Sequence, residues 1–339
     1  MSITMIGLDI AKSVFQVHGV DAHGNVRLSK ALRRAKVEPF FAALPPCVIG
    51  MEACATAYHW ARVLRALGHD VRLIPPAHVK AYVRRNKTDA ADAAAICEAV
   101  SRPTTRFVPL REVEDQAVLA LHRARELLVK QRTMLINAVR GHLAEFGVVA
   151  ARGHEGADRL CEIVADPREH RIPELVRMAL MIFAGQVDAL DAQVAAIEAQ
   201  LKSWRAQDAT SRRLASVPGI GLIAATAISA KVRNPERFSS GRCFAAWLGL
   251  TPRQHSSGGK VWLGPISKAG DRYIRRLLVS GAQSLITANK RRRTPDPWLA
   301  KIAASKPRLV AAVAVANKLA RIAWAVMTRQ SDFRAVTPA

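Results

Sequence analysis

ITMIGLDIA, residues 3–11, is an apolar run of strand length broken by a single charge, Asp9. A carboxylate set into such a strand costs free energy unless something binds it. Downstream, VFQVHGV (14–20) alternates as a second strand, DAHGN (21–25) is a turn signal, and VRLSK (26–30) reads as a third strand. After a helix, PCVIGMEA (46–53) supplies another apolar strand, again ending on an acid, Glu52. TAYHWARVLRALG (56–68) has the pattern of an amphipathic helix stopping at Gly68. DVRLIPP (70–76) is a further strand, and a helix is expected from about Pro76. Three adjacent strands followed by strand–helix alternation predict an α/β domain with a mixed sheet and helices on its faces.

RRNKTDAADAAAICEAV (84–100) carries Asp89 and Asp92 three apart on a predicted helix, behind Arg84, Arg85 and Lys87. That spacing puts both acids on one helical face. The bland reading is a solvated face near a helix N-terminus, where the dipole favours acids. The functional reading is a cation site. Like charges so close raise each other's pKa unless a cation lies between them, and hard carboxylate oxygens suit Mg²⁺. Asp9 and Glu52 shift the balance. Acids on two strands and a pair on a following helix form the layout of an RNase H-like nuclease, whose carboxylates hold two Mg²⁺ ions. Arg84, Arg85 and Lys87 would then hold the phosphate strand beside them.

Composition favours a polyanionic partner. The 339 residues carry 51 Lys and Arg against 27 Asp and Glu, a net charge of +24. Cations placed on phosphates release counterions, so nucleic acid is the expected partner. Residues 250–339 hold 17 Lys and Arg against three Asp and no Glu, +14 of that excess. The longest uncharged run, 214–230, is broken by Pro218, Gly219 and Gly221, so no membrane association is expected. Five scattered cysteines, never spaced as CxxC, argue against a disulfide framework or zinc site and for the cytoplasm.

Two long, charged helical patterns, 112–146 and 174–205, are joined by a loop rich in Gly, Asp and Pro. They predict an antiparallel helical arm, either a coiled coil that drives oligomerisation or a plain spacer. From Ser211 onward mostly short helices are expected. LASVPGIGLIAATAISA (214–230) has the form of a helix-hairpin-helix, in which Gly219 and Gly221 let backbone N–H groups approach a phosphate. A tight turn between buried helices would look the same. LTPR (250–253) and SSGGK (256–260) follow, the latter read as a flexible loop between short extended pieces. Arg253, Lys260, Lys268, Arg272, Arg275 and Arg276 are the candidate phosphate contacts here. A loop serine could be a nucleophile or merely a hydrogen-bonding hydroxyl. Trp262 and Trp298 could stack bases, whereas Trp247 and Trp324 are expected in the core.

GLDIAK, GMEA and RRNKTDAADA, in this order, followed by LTPR, SSGGK and GPISKAG, resemble the DEDD-type insertion-sequence transposases related to Piv-type DNA invertases. The resemblance covers nearly the whole chain, and separate motifs agreeing in order are more specific than any one of them. It departs at EACA (52–55) and KVRNPERF (231–238), without touching an acid. The resemblance implies a RuvC-like catalytic domain over residues 1–108, a helical arm over 109–208 and a C-terminal transposase domain over 209–339. It places the acidic tetrad on Asp9, Glu52, Asp89 and Asp92, and a catalytic serine on Ser257, with Ser256 its neighbour. It further implies a transient serine–DNA link, Mg²⁺ at the tetrad, a tetramer with a composite site between subunits, and a structured guide RNA. A water-using RuvC-like nuclease, a site-specific invertase and an inactive scaffold are the competing classes.

Overall fold

The computed structural model describes residues 2–83 and 88–334, except the side chain of His154. Arg84, Arg85 and Lys87 lie outside the described residues. The chain divides into two compact units, residues 1–112 and 113–339.

The first unit contains β1 (Met5–Ile10), β2 (Val14–Val20), β3 (Val26–Arg33), α1 (Val37–Ala42), β4 (Val48–Glu52), α2 (Ala57–Ala66), β5 (Asp70–Ile74), α3 (Pro76–Val79) and α4 (Asp89–Ser101). Its five-stranded sheet has the order β3-β2-β1-β4-β5. β1, β2 and β3 pair antiparallel, whereas β4 runs parallel to both β1 and β5. This mixed sheet is compatible with an RNase H-like fold. The DAHGN turn is tied by Asp21, whose carboxylate accepts the backbone N–H groups of His23 and Asn25 at 2.9 and 3.0 Å.

Side chains alternate across a strand, and β1 uses both faces. Ile6 and Leu8 join Ile49, Met51, Phe15 and residues of α1 and α2 in one core. Met5 and Val48 pack on the other side, against Ile96, Ala99 and Val100 of α4. The helix expected from Pro76 is short. α3 ends in a 3₁₀ turn at Lys80–Tyr82 and Val83 is extended. A new helix then starts at Thr88, whose hydroxyl accepts the Ala91 N–H at 3.2 Å. That N-cap makes Asp89 and Asp92 the acids of a first helical turn.

The second unit holds α5 (Val113–Glu145), α6 (His154–Ala165), α7 (Glu174–Gln207), α8 (Ala209–Ala215), α9 (Leu222–Lys231), α10 (Gly241–Trp247), β6 (Pro252–Ser257), β7 (Lys260–Ile266), α11 (Arg272–Lys290), α12 (Pro297–Ser305) and α13 (Arg308–Arg329). α5 and α7 form the expected antiparallel pair, with Arg125 bonded to Glu198 at 2.6 Å and Arg132 to Asp191 at 2.5 Å. The base of this arm is locked by Arg233, which pairs with Asp115 of α5 and, at 2.6 Å, with Asp208 before α8. Four of the six helices from α8 onward are short, as expected, whereas α11 and α13 have 19 and 22 residues. α13 lasts because its small-residue face, including Ala316, Ala320 and Ala323, is buried in the second core. Trp247 and Trp324 pack partly buried against that core. Among the described residues, α7 and α13 are long and apolar enough to cross a membrane by length and composition.

Candidate active site

The acids of the first unit converge because of strand register. β1 and β4 are aligned with Leu8 against Met51, so the next residues, Asp9 and Glu52, come level at the carboxyl ends of neighbouring parallel strands. Gly7 and Gly50 share the face of Asp9 and Glu52, and that face carries α4. A Cβ on Gly7 would lie 2.1 Å from the Ala93 carbonyl oxygen, and one on Gly50 would lie 2.8 Å from Val100 Cβ. The two glycines therefore seat α4 directly on the sheet. Its first turn, with Asp89 exposed and Asp92 half-buried, is brought toward the strand ends.

Electrostatics report the same convergence. The Asp9 carboxyl is held above its ordinary pKa, first by partial burial and then by the charges of Asp92, Asp89 and Glu52. Asp9 thus senses the charges of the other three acids. The donor set is all hard oxygen, and the repulsion on Asp9 is the kind a divalent cation relieves. Among the described residues, no three acids, histidines or cysteines are already gathered into a metal cage. The set therefore fits a cation by its chemistry rather than by preformed geometry.

In the second unit, SSGGK is a tight turn rather than a flexible loop. Gly258 and Gly259 both have positive φ, 56° and 76°, and join β6 to β7 with Ser257 opposite Lys260. A two-residue hairpin turn of this sense requires that conformation, which glycine adopts without steric cost. The hairpin is exposed along both strands. Alternation places Ser257 on the side of His255 and its partner Trp262, itself 72% exposed. Ser256 lies on the opposite side and accepts a hydrogen bond from Gln254 at 2.9 Å.

The candidate phosphate contacts separate into two groups. Lys260, Lys268 and Arg272 are exposed, as is Arg253, whose guanidinium donates to the Ser267 carbonyl at 3.3 Å. Arg275 instead donates to the Leu248 and Ala269 carbonyls at 2.9 and 2.8 Å, and Arg276 pairs with Glu126 at 2.7 Å. Both arginines thus have partners within the unit, backbone carbonyls for Arg275 and an exposed ion pair for Arg276. Gly219, with φ of 88°, is packed so closely on α11 that a Cβ would lie 2.4 Å from Leu285. Gly221 stands exposed at the N-cap of α9. A cleft of about 810 Å³ that the sequence did not suggest is lined by Arg205, Arg212, Arg213 and Asp332. The signal was present as RR at 212–213, shortly before the PGIG turn at 218–221.

Two family models match the chain. Residues 6–147 match the DEDD transposase domain of the IS110 type, and residues 211–295 match the transposase IS116/IS110/IS902 family. The chain is 48% identical to a probable family 20 transposase of Pseudomonas aeruginosa, over 98% of this chain and 99% of that protein. It is 40% identical to the transposase for insertion sequence element IS1328 of Yersinia enterocolitica, over 98% and 99%. It is 39% identical to the transposase for IS1111A of Coxiella burnetii, over 98% and 92%. A DEDD transposase domain implies use of a divalent metal in general, which agrees with the all-carboxylate set at Asp9. The chain belongs to the IS116/IS110/IS902 family of insertion-sequence transposases, enzymes that process DNA.

Proposed function

We propose that this transposase cuts and rejoins the ends of its insertion sequence through a covalent serine–DNA intermediate. The convergence of Asp9, Glu52, Asp89 and Asp92 at two strand ends and one helix start carries the reading, because it concentrates negative charge where a scissile phosphate must be handled. These four residues hold Mg²⁺, which when bound neutralises phosphate charge and stabilises the developing oxyanion. Ser257 is the nucleophile. Its hydroxyl oxygen gives up its proton and bonds to phosphorus, the bond from phosphorus to the DNA 3′ oxygen breaks, and that oxygen takes up a proton to leave as the 3′ hydroxyl. Placement at the end of an exposed hairpin, on the face of Lys260 and Trp262, supports Ser257 over Ser256. Lys260 offers the phosphate a charge and Trp262 offers a base a stacking surface.

The acids and the serine act on the same scissile phosphate in an assembly of several copies, a tetramer on this reading. A structured RNA supplies the target choice, and the large positive charge suits both nucleic acids. The turn between α8 and α9 serves as a helix-hairpin-helix, with backbone N–H groups beyond Gly221 directed at a phosphate. Asp9, Glu52, Asp89 and Asp92 define the catalytic domain, the α5–α7 pair the helical, coiled-coil arm, and the remainder the serine-bearing domain, all working in the cytoplasm.

A denaturing gel of the protein incubated with labelled element-junction DNA, Mg²⁺ and RNA from the flanking region tests the chemistry. Wild type is expected to give a protein band carrying DNA, and Ser257→Ala to lose it while Ser256→Ala keeps it. Cleaved DNA without such a band, undiminished in Ser257→Ala, would leave a water-using nuclease instead.

The arginine cleft is a second phosphate contact on this reading, since Arg205, Arg212 and Arg213 bring like charges around one opening. Arg212→Ala with Arg213→Ala should weaken binding of unrelated DNA sequences equally. The slope of log affinity against log salt should fall by about 2, one counterion per lost phosphate contact. An unchanged slope would remove the cleft from the interface.

A further inference from the structure

α4 is seated over Gly7 and Gly50, and beside it the sheet face that carries the acids stays partly open over β2. Met5, Gly7 and Asp9 stand opposite Val20, His18 and Gln16, so these three residues of β2 share that face, and all three are half-buried. The side of α4 next to them carries Ala91, Ala94 and Ala95, which are too small to fill the space. A cleft of about 680 Å³ results, lined by those alanines and by His18, Tyr82 and Glu98 among others. That volume lies in the range of small-molecule sites. None of the described residues lining it is Lys or Arg, whereas the cleft of the second unit is lined by three arginines.

The lining suits a neutral planar ring. A phosphate would meet no cation in the lining, whereas Tyr82 and His18 offer two aromatic rings. Tyr82 is backed by Arg102, whose guanidinium lies 6.0 Å from the ring centroid and pairs with Glu98. Burial lowers the His18 pKa, so at neutral pH the imidazole is uncharged, with one nitrogen donating and the other accepting. Neither that ring nor the Tyr82 hydroxyl has a hydrogen-bond partner among the described residues. The exposed edge of an unpaired nucleobase presents donors and acceptors together on a flat ring, and so matches both features. Position says which base. His18 lies two residues along β2 from Gln16, the neighbour of Asp9, a distance of about 7 Å, and Ala91 adjoins Asp92. A strand rising roughly 3.4 Å per nucleotide covers that distance in about two steps. We propose that this cleft takes up one unpaired DNA base within about two nucleotides of the phosphate held by the acids. The proposal rests on the reading that Asp9, Glu52, Asp89 and Asp92 hold the scissile phosphate, and adds the base that is gripped beside it.

Affinity of the full chain for element-junction DNA, with RNA from the flanking region and no divalent cation, tests this apart from the chemistry. Loss of a base's stacking partner should make Tyr82→Ala bind roughly tenfold more weakly, while Tyr82→Phe, which keeps the ring, should retain most of the affinity. Ala94→Leu exchanges one strong helix former for another and fills the cleft, so it should weaken binding by about the same factor. A series of junction DNAs, each lacking one base, then locates the ligand. At one position within about two nucleotides of the wild-type cut, the abasic DNA should bind wild type, Tyr82→Ala and Ala94→Leu alike. Variants that weaken every DNA of the series equally would reveal damage to the fold and overturn the proposal, as would variants that bind intact DNA like wild type. A tolerant position farther from the cut, or one found in an abasic RNA series instead, would likewise overturn it. Failure of the serine mechanism would leave these affinities unchanged, so the two readings fail separately.

Discussion

An Asp9→Asn chain is expected to bind element-end DNA with near wild-type affinity and to cleave it at least ~1,000-fold more slowly. Stabilisation of phosphoryl charge by a bound cation is worth several kcal/mol, and each 1.4 kcal/mol is tenfold in rate. Asp9 is the acid of the tetrad set within a strand, level with Glu52, so its loss removes the ligand least able to be replaced by a neighbour's movement. Most of the net charge that binds DNA lies elsewhere, in the last quarter of the chain, so binding should survive. Loss of binding together with cleavage would make Asp9 a structural residue.

The same substitution should stabilise the protein when no divalent cation is present. Asp9 has a raised pKa in the folded state, so the fold is favoured by protonation of this group and loses that contribution as pH rises through the raised value. At neutral pH the variant, which has no charge to repel Asp92, Asp89 and Glu52, should melt above wild type. On acidification the gap should close, because wild-type Asp9 is then neutral too. Added Mg²⁺ should reverse the order by stabilising wild type more than the variant. Thermal melts across pH, with and without Mg²⁺, read all three effects without any cleavage assay. A variant stabilised by Mg²⁺ as strongly as wild type would take Asp9 out of the cation site.

Much of this site was legible from residues because a charge interrupting an apolar period-two pattern needs a local explanation, and Asp9 and Glu52 both interrupt one. Asp89 and Asp92 were legible by their helical spacing. What seats them was not. Gly7 and Gly50 stand beside those acids in the sequence, yet a glycine declares a close approach only when the element crossing it is known, and α4 begins some eighty residues after Gly7. Arg275 and Arg276 have partners in the structure that the sequence does not show. Both sit in the most basic part of the chain and read as phosphate contacts, but Arg276 meets Glu126, 150 residues away. Arg275 caps two carbonyls that turns at Gly249 and Gly270 bring to it. Partners at such separations leave no trace in local pattern. The start of α4 was legible too, since a threonine before an acid-rich first turn is a helix-start signal.

The seat of α4 gives the second large effect. Gly7→Ala places a Cβ 2.1 Å from the Ala93 carbonyl oxygen and 2.4 Å from the Cys97 nitrogen, both backbone atoms of a helix that cannot rotate out of the way. α4 must therefore lift from β1 as a body, at a cost of ~2–3 kcal/mol typical of overpacking. For a unit of this size the melting temperature should fall by roughly 10 °C or more. The lift also carries Asp89 and Asp92 away from Asp9, and a displacement near 1 Å at reacting groups costs about a hundredfold in rate. Gly50→Ala makes an informative contrast, because its Cβ meets the side chain of Val100 rather than backbone. Its damage should be smaller and should be repaired by Val100→Ala in the same chain, whereas no side-chain truncation can repair Gly7→Ala. If Gly7→Ala melts and cleaves like wild type, α4 does not rest on β1 as described, and the convergence of the four acids loses its structural cause.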